Sequence, residues 1–183
     1  MEKKILVFTG LLACGKGTVA KYFAEKYQAS TFRFSTMLRD ILRRLYMEDS
    51  RQNMQVLSKI LRENFSQDIM SKVIAKDAES SSNPFIVIEG ARRMTDIEYL
   101  KKLSGFTLVA IEVDAKIRYQ RLVSRNENPG DDKKTFEQFL QDEKAEPEIE
   151  IPFLMQQATI KINNNGSIEE LYKQLDELIH PVK

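Results

Sequence analysis

The chain has 183 residues, enough for one domain with a sizeable core. Its 28 basic and 27 acidic residues nearly cancel, which argues against a general attraction to nucleic acid or to an acidic membrane surface. A single cysteine excludes a disulfide framework and a cysteine zinc site. No apolar run approaches the ~18 residues of a membrane span, and the start Met1-Glu-Lys-Lys4 has no signal-peptide pattern. A cytoplasmic setting is expected.

The first element is the apolar run Ile5 to Phe8, a strand. It turns at Gly10 and passes into a helical pattern that carries Val19, Ala20, Phe23, Ala24 and Tyr27 on one face. Gly10, Gly15 and Lys16 fit G-x-x-x-x-G-K, the phosphate-binding loop. The spacing has a physical reason. Backbone N–H groups must converge on phosphate oxygens, so the backbone has to be permissive and the side chains small. The helix N-terminus adds partial positive charge, and Lys16 adds a mobile full charge. Gly17 stands at the usual hydroxyl position, and the hydroxyl comes one residue later, at Thr18. Cys14 lies inside the loop as a small residue that fits.

A short strand, Thr31 to Phe34, follows, and Ser35 or Thr36 is placed to cap the next helix. Residues 36–80 read as an all-helical insertion, a candidate mobile arm. Phe85 to Ile88 is a continuous apolar run suited to a buried parallel strand. It ends at Glu89-Gly90-Ala91-Arg92-Arg93, after which Thr95 and Glu98 form a capping box. Phe106 to Val113 is the fourth strand, and a helix runs from about Lys116 to Ser124. Pro129-Gly130 marks a turn. Thr135 with Gln138 caps a further helix, and Glu146-Pro147-Glu148 breaks it. Ala158 to Ile162 is the last strand, Asn163 to Gly166 a turn, and Ser167 with Glu170 caps a final helix.

Five strands alternating with helices indicate an α/β fold, a doubly wound parallel sheet in a single domain spanning 1–183. Ligands in such sheets sit at the carboxyl ends of the strands, so the residues just past each strand carry the chemistry. Arg118, Arg121 and Arg125 share one helix face and suit the charge that phosphoryl transfer spreads over the transferring group. Glu89 ends a buried strand and could hold Mg²⁺ through water, or pair with Lys16 or an arginine. Of Arg92 and Arg93, one is expected to bind a phosphate. Arg39, a turn beyond Ser35 and Thr36, is the expected acceptor-phosphate ligand.

Gly15-Lys16-Gly17-Thr18 resembles the nucleoside monophosphate kinases, adenylate kinase among them, although Ala13 stands where that family has a further glycine. Phe34-Ser-Thr-Met-Leu-Arg39 resembles the acceptor-binding segment of adenylate kinase without its Gly-Asp pair. A closer resemblance, spanning most of the chain, is to the dephospho-CoA kinase-like and adenylate kinase-related P-loop proteins. It rests on Glu89-Gly90-Ala91-Arg92, on the spaced arginines 118 to 125, on the acidic helix Phe139 to Glu146, and on the strand running into the turn Asn163 to Ser167.

The resemblance implies a three-layer P-loop kinase fold with strand order 2-3-1-4-5 and a short lid at about 118–134. It implies ATP with Mg²⁺ as cofactors, and adenine held between the Arg118 to Arg125 helix and the turn at Asn163. The expected donor site is then Gly10, Ala13, Cys14, Gly15, Lys16, Gly17, Thr18 and Asn163, with Thr18 and Glu89 at the metal. Lys16, Arg92, Arg118, Arg121 and Arg125 are the expected catalytic set. Ser35, Arg39, Glu89, Arg92 and Arg93 are expected on the acceptor, with Arg39 and the Arg92–Arg93 pair facing one cleft.

The reading is an ATP-dependent kinase moving a γ-phosphoryl to a nucleoside monophosphate or similar small nucleotide, with no nucleic-acid or membrane partner and no sign of an oligomer. Hydroxyl phosphorylation, as by a dephospho-CoA kinase, is the runner-up. A rival of another class is a P-loop ATPase or nucleotide-dependent binding protein; nothing in the chain resembles a GTPase base-specificity motif.

Overall fold

A computed structural model describes residues 3–125 and 130–180. The strands β1 (Lys4–Thr9), β2 (Ser30–Arg33), β3 (Phe85–Ala91), β4 (Phe106–Glu112) and β5 (Ile160–Asn163) form one parallel sheet in the order β2-β3-β1-β4-β5. This is the expected order. Side chains alternate along a strand, so β1 sends Ile5 and Val7 to one face and Leu6 and Phe8 to the other. Both faces are covered by helices, which is why the central strands read as continuous apolar runs rather than alternating ones.

On the Leu6 and Phe8 face lie α1 (Lys16–Tyr27) and α8 (Ile168–Ile179), through Val19, Phe23, Leu171 and Leu175. On the opposite face lie α2 (Phe34–Arg44), α4 (Ile69–Ser80) and α7 (Ile151–Gln156), through Leu38, Ile74 and Leu154. The insertion is helical, as expected: α2 and α4 with α3 (Arg51–Asn64) between them, capped by Ser50 accepting from the Asn53 N–H at 3.3 Å. Beyond β4 come α5 (Ala115–Arg125) and α6 (Phe136–Asp142). The boxes at Thr135/Gln138 and Ser167/Glu170 form as expected. Residues 126–129 of the expected lid, with Pro129 of its turn, lie outside the described residues.

Three expectations fail locally. Phe34 begins α2 rather than ending β2, so Ser35 and Thr36 fall inside the helix and neither caps it. The segment after β3 is a 3-10 turn, Met94–Ile97, and Asp96 replaces the expected Thr95–Glu98 box. Asp96 Oδ2 accepts the N–H groups of Arg92 and Arg93 at 2.8 and 3.0 Å, a geometry that spacing alone does not announce. Helix α7 begins in the tract Glu150-Ile-Pro152, whose proline is compatible with a first helical turn.

Candidate functional site

The loop between β1 and α1 closes on itself. Gly10 has φ 154° and Gly15 φ 102°, both in the region that favours glycine. A Cβ on Gly10 would fall 2.6 Å from Cys14 Sγ and 2.8 Å from the Ile111 carbonyl, and one on Gly15 would fall 2.6 Å from Asn164 Nδ2. Ala13 takes φ 61° with a side chain that disfavours it, which is the backbone reason related loops carry glycine there. Lys16 folds back over the loop, its Nζ donating to the carbonyls of Gly10 (2.6 Å) and Leu11 (3.1 Å). Cys14 is buried in the core, and its Sγ lies within the loop, accepting from Lys16 Nζ at 3.5 Å.

Asn164, rather than the expected Asn163, reaches the loop. It is buried, and its Nδ2 donates to the Cys14 carbonyl at 2.9 Å. The Asn163 side chain accepts from Asn165 N–H in an exposed turn. A strand that ends one residue off its expected place exchanges the faces of the residues that follow.

Two cavities flank the first turn of α1. One, of about 480 Å³, is lined by Ala13, Gly15, Thr18, Arg121, Ser124, Arg125, Asn164, Ile168 and Leu171. It combines phosphate-loop backbone, two arginines and an apolar wall from α8. Arg121 Nη1 is buried here without a hydrogen-bond partner among the described residues, a costly state that an anion or a base acceptor atom would relieve. The other cavity, of about 400 Å³, is lined by Gly17, Lys21, Thr31, Arg33, Thr36, Arg39, Arg43 and Glu89, among others. Arg39 Nη1 and Arg43 Nη2 hold the Asp49 carboxylate at 3.1 and 2.9 Å. The Arg39 hydrogen bond comes first among the causes that keep the Asp49 carboxyl below the usual range.

Several nominated residues sit elsewhere. Arg118 does not reach either cavity. It is buried, donates to the carbonyls of Val113 (3.0 Å) and Leu12 (3.3 Å), and pairs with Glu143. It stacks over Phe139, with the guanidinium carbon 5.3 Å from the ring centre. That is a tie between the loop, α5 and α6. Arg92 and Arg93 do not share a cavity with Arg39. Arg92 Nη1 lies 2.9 Å from Glu148 Oε1, a charge contact rather than an aligned hydrogen bond, and Arg93 pairs with Glu146. The turn at Glu146–Glu148 comes from a distant part of the chain, so nothing near either arginine forecasts it. In the second cavity, Thr36 takes the place expected of Ser35.

The expected metal pair also separates. Glu89, near the end of β3, lines the second cavity with Gly17, whereas Thr18, turned about 100° around α1 from Gly17, faces the first. Gly17, which does face Glu89's cavity, has no hydroxyl. Glu89 is itself engaged: Arg33 Nε and Nη2 both converge on its Oε1, at 2.7 and 2.6 Å. Arg33 is the charged residue that the sequence reading passed over. The strand order contained the signal, since β2 pairs with β3 in a register that sets Arg33 opposite Glu89. Thr18 and Glu89 therefore do not fit as a protein-held Mg²⁺ site.

This fold and loop define a P-loop protein with a kinase-like fold. The chain belongs to the AAA domain family, whose model matches residues 9–139. It is 28% identical over 178 residues to a UPF0200 protein of Sulfurisphaera tokodaii, covering 96% of each chain. A UPF0200 protein of Staphylothermus marinus is 25% identical, over 94% of this chain and 89% of that one. Among solved structures, shikimate kinase from Acinetobacter baumannii superposes with a TM-score of 0.62 at 17% identity, over 99% of this chain and 96% of that one. TT1252 from Thermus thermophilus gives 0.61 at 14% identity, with full coverage of both. These two likenesses are of fold. Among the described residues, no helix is long and apolar enough to cross a membrane.

Proposed function

We propose that the protein is an ATP-dependent phosphotransferase that moves the γ-phosphoryl group of ATP to a nucleoside monophosphate or a similar nucleotide. The observation that carries the reading is the pair of cavities flanking the first turn of α1, where the phosphate-binding loop ends. A hydrolase needs one nucleotide site and a water; a transferase needs two substrates meeting at the loop. The cavity walled by Ile168 and Leu171 suits the donor nucleoside, with Thr18 and Arg121 toward its phosphates. The cavity with Arg33, Arg39 and Arg43 suits an anionic acceptor, since guanidinium groups bind phosphate bidentately.

The chemistry then asks little of the protein beyond position and charge. A phosphate acceptor is already anionic and needs no general base. Lys16 leaves the Gly10 and Leu11 carbonyls for the β- and γ-phosphates and follows the charge as it moves to the leaving group. Arg39 and Arg43 exchange Asp49 for the acceptor phosphate. One observation favours hydroxyl phosphorylation as a second reading: Glu89 is a buried carboxylate lining the acceptor cavity, where a hydroxyl would need a base.

A panel of nucleoside monophosphates, nucleosides and dephospho-CoA, assayed with ATP, separates the readings. Rapid ADP formation that depends on a monophosphate is the expected result. Activity confined to hydroxyl acceptors selects the second reading, and slow hydrolysis that ignores every acceptor rejects both.

A further inference from the structure

Arg33 closes β2, an edge strand, and its guanidinium lies between two elements that a P-loop protein commonly bridges with a metal ion. On one side is Glu89, the carboxylate at the end of β3, held at 2.6 and 2.7 Å. On the other is the first turn of α1, where a Cβ on Gly17 would fall 3.2 Å from Arg33 Nη2. In the common motif the residue at that helix position supplies a hydroxyl to Mg²⁺. Here three departures coincide. The hydroxyl is missing at Gly17, the acidic residue is taken by an arginine, and the guanidinium fills the space that the missing side chain leaves. Each makes sense given the others: a serine at position 17 would crowd Nη2, and an unpaired Glu89 would be a buried lone charge.

We propose that the Arg33 guanidinium takes the place of the protein-held divalent cation, bridging α1 to Glu89 and presenting a fixed positive charge to the nucleotide phosphates from the wall of the second cavity. Guanidinium is suited to this. It stays charged at all working pH values and offers further N–H donors to an anion while Nε and Nη2 hold Glu89. The idea rests on the donor-site reading above. It goes beyond that reading in assigning a fixed charge to the chain, where the sequence led to the expectation of a metal held by Thr18 and Glu89.

The test is ATP binding by calorimetry, in Mg²⁺ and in EDTA, for wild type, Arg33→Ala, Arg33→Lys and Arg33→Ala/Gly17→Ser, with circular dichroism melts to confirm folding. Wild type should bind ATP within about threefold in the two buffers. Arg33→Ala should lose about tenfold or more in EDTA, a change of roughly 1.4 kcal/mol or more. Mg²⁺ should restore part of that loss, most fully in the double variant, where Glu89 is released and a hydroxyl returns. Arg33→Lys keeps the charge and should fall between wild type and Arg33→Ala. Wild-type binding that collapses in EDTA overturns the proposal, and this arm needs no variant to fold. Equal affinity of Arg33→Ala and wild type in EDTA overturns it too. Those outcomes leave the donor site standing. Absence of ATP binding by wild type in either buffer would remove the donor site and this inference with it.

Discussion

Gly10 shows how little room the loop leaves at the scale of one residue. An added Cβ meets a buried sulfur at 2.6 Å and a strand carbonyl at 2.8 Å, and neither is the free end of a flexible side chain. Gly10→Ala should therefore lower stability by about 1–3 kcal/mol, as overpacking does, seen as a shifted urea midpoint. Adding Cys14→Ala should return only part of the loss, because the Ile111 carbonyl remains; full recovery would place the strain on the sulfur alone. Lys16→Ala should leave the midpoint almost unchanged while turnover falls by about 10²-fold or more, since its charge acts mainly in the transition state. Near-normal turnover would remove the loop from the chemistry. Arg118 and Arg121, three residues apart on α5, should separate cleanly. Arg118→Ala breaks a buried pair and should cost about 3–5 kcal/mol of stability. Arg121→Ala removes a buried Nη1 that has no partner among the described residues, so stability should hold while ATP affinity falls about 10- to 100-fold. If titrations show the reverse pattern, the two roles are exchanged.

Asp96 joins three elements. One oxygen receives Arg62 of α3 at 2.5 Å, and the other receives the Arg92 and Arg93 N–H groups behind β3. Both members of the ion pair are buried, so removing either should cost about 3–5 kcal/mol. The variants differ in where the damage spreads. Asp96→Ala frees the two amides and should speed their hydrogen exchange; Arg62→Met leaves them bonded. Equal exchange in the two variants would mean that Asp96 does not organise this turn. The same contrast between local and distant partners explains what the sequence discloses. The strands, the phosphate loop and the helical insertion follow from periodicity and glycine spacing, which are local signals, and the strand order follows from the family resemblance. The ends of elements are harder. Phe34 is equally at home ending a strand or opening a helix, and a one-residue shift at β5 sets Asn164 rather than Asn163 on the loop. Arginines are hardest, because a cation on a helix face looks the same whether it awaits a ligand or already has a carboxylate. Arg118, Arg92 and Arg93 take partners 25 to 56 residues away; only the sheet register, which pairs Arg33 with Glu89, was within reach of sequence reasoning.

Across the whole molecule, α1 and α8 lie side by side, with the cavity proposed for the donor at one end and a charged cluster at the other. Tyr22, Lys26 and Tyr27 of α1 all donate to Asp176 of α8, at 2.6 to 2.7 Å. The cluster fixes how α8 sits on α1, and α8 carries Ile168 and Leu171 into the cavity wall. Burial by itself opposes ionisation of Asp176, but the hydrogen bonds from Lys26, Tyr22 and Tyr27 outweigh it and hold its pKa at about 2. In the unfolded chain the value is about 3.9. A carboxyl whose pKa falls on folding stabilises above the unfolded value and ceases to as pH drops through the folded one. The contribution is therefore complete above about pH 4 and gone below about pH 2. Burial first, then the hydrogen bond to Asp176, pushes the Tyr27 hydroxyl the other way, up to about 12. Its contribution is intact below the unfolded value of about 10 and lost as pH rises toward 12. Asp176→Asn should flatten both limbs of a plot of melting temperature against pH, relative to wild type. Other carboxylates with lowered pKa, such as Asp49 and Asp68, titrate in both proteins, so the difference between the curves isolates the cluster. Parallel acid limbs would show that Asp176 is not what couples these helices. Weaker ATP binding by the variant at neutral pH, with the loop untouched, would show the coupling reaching the donor cavity from its far end.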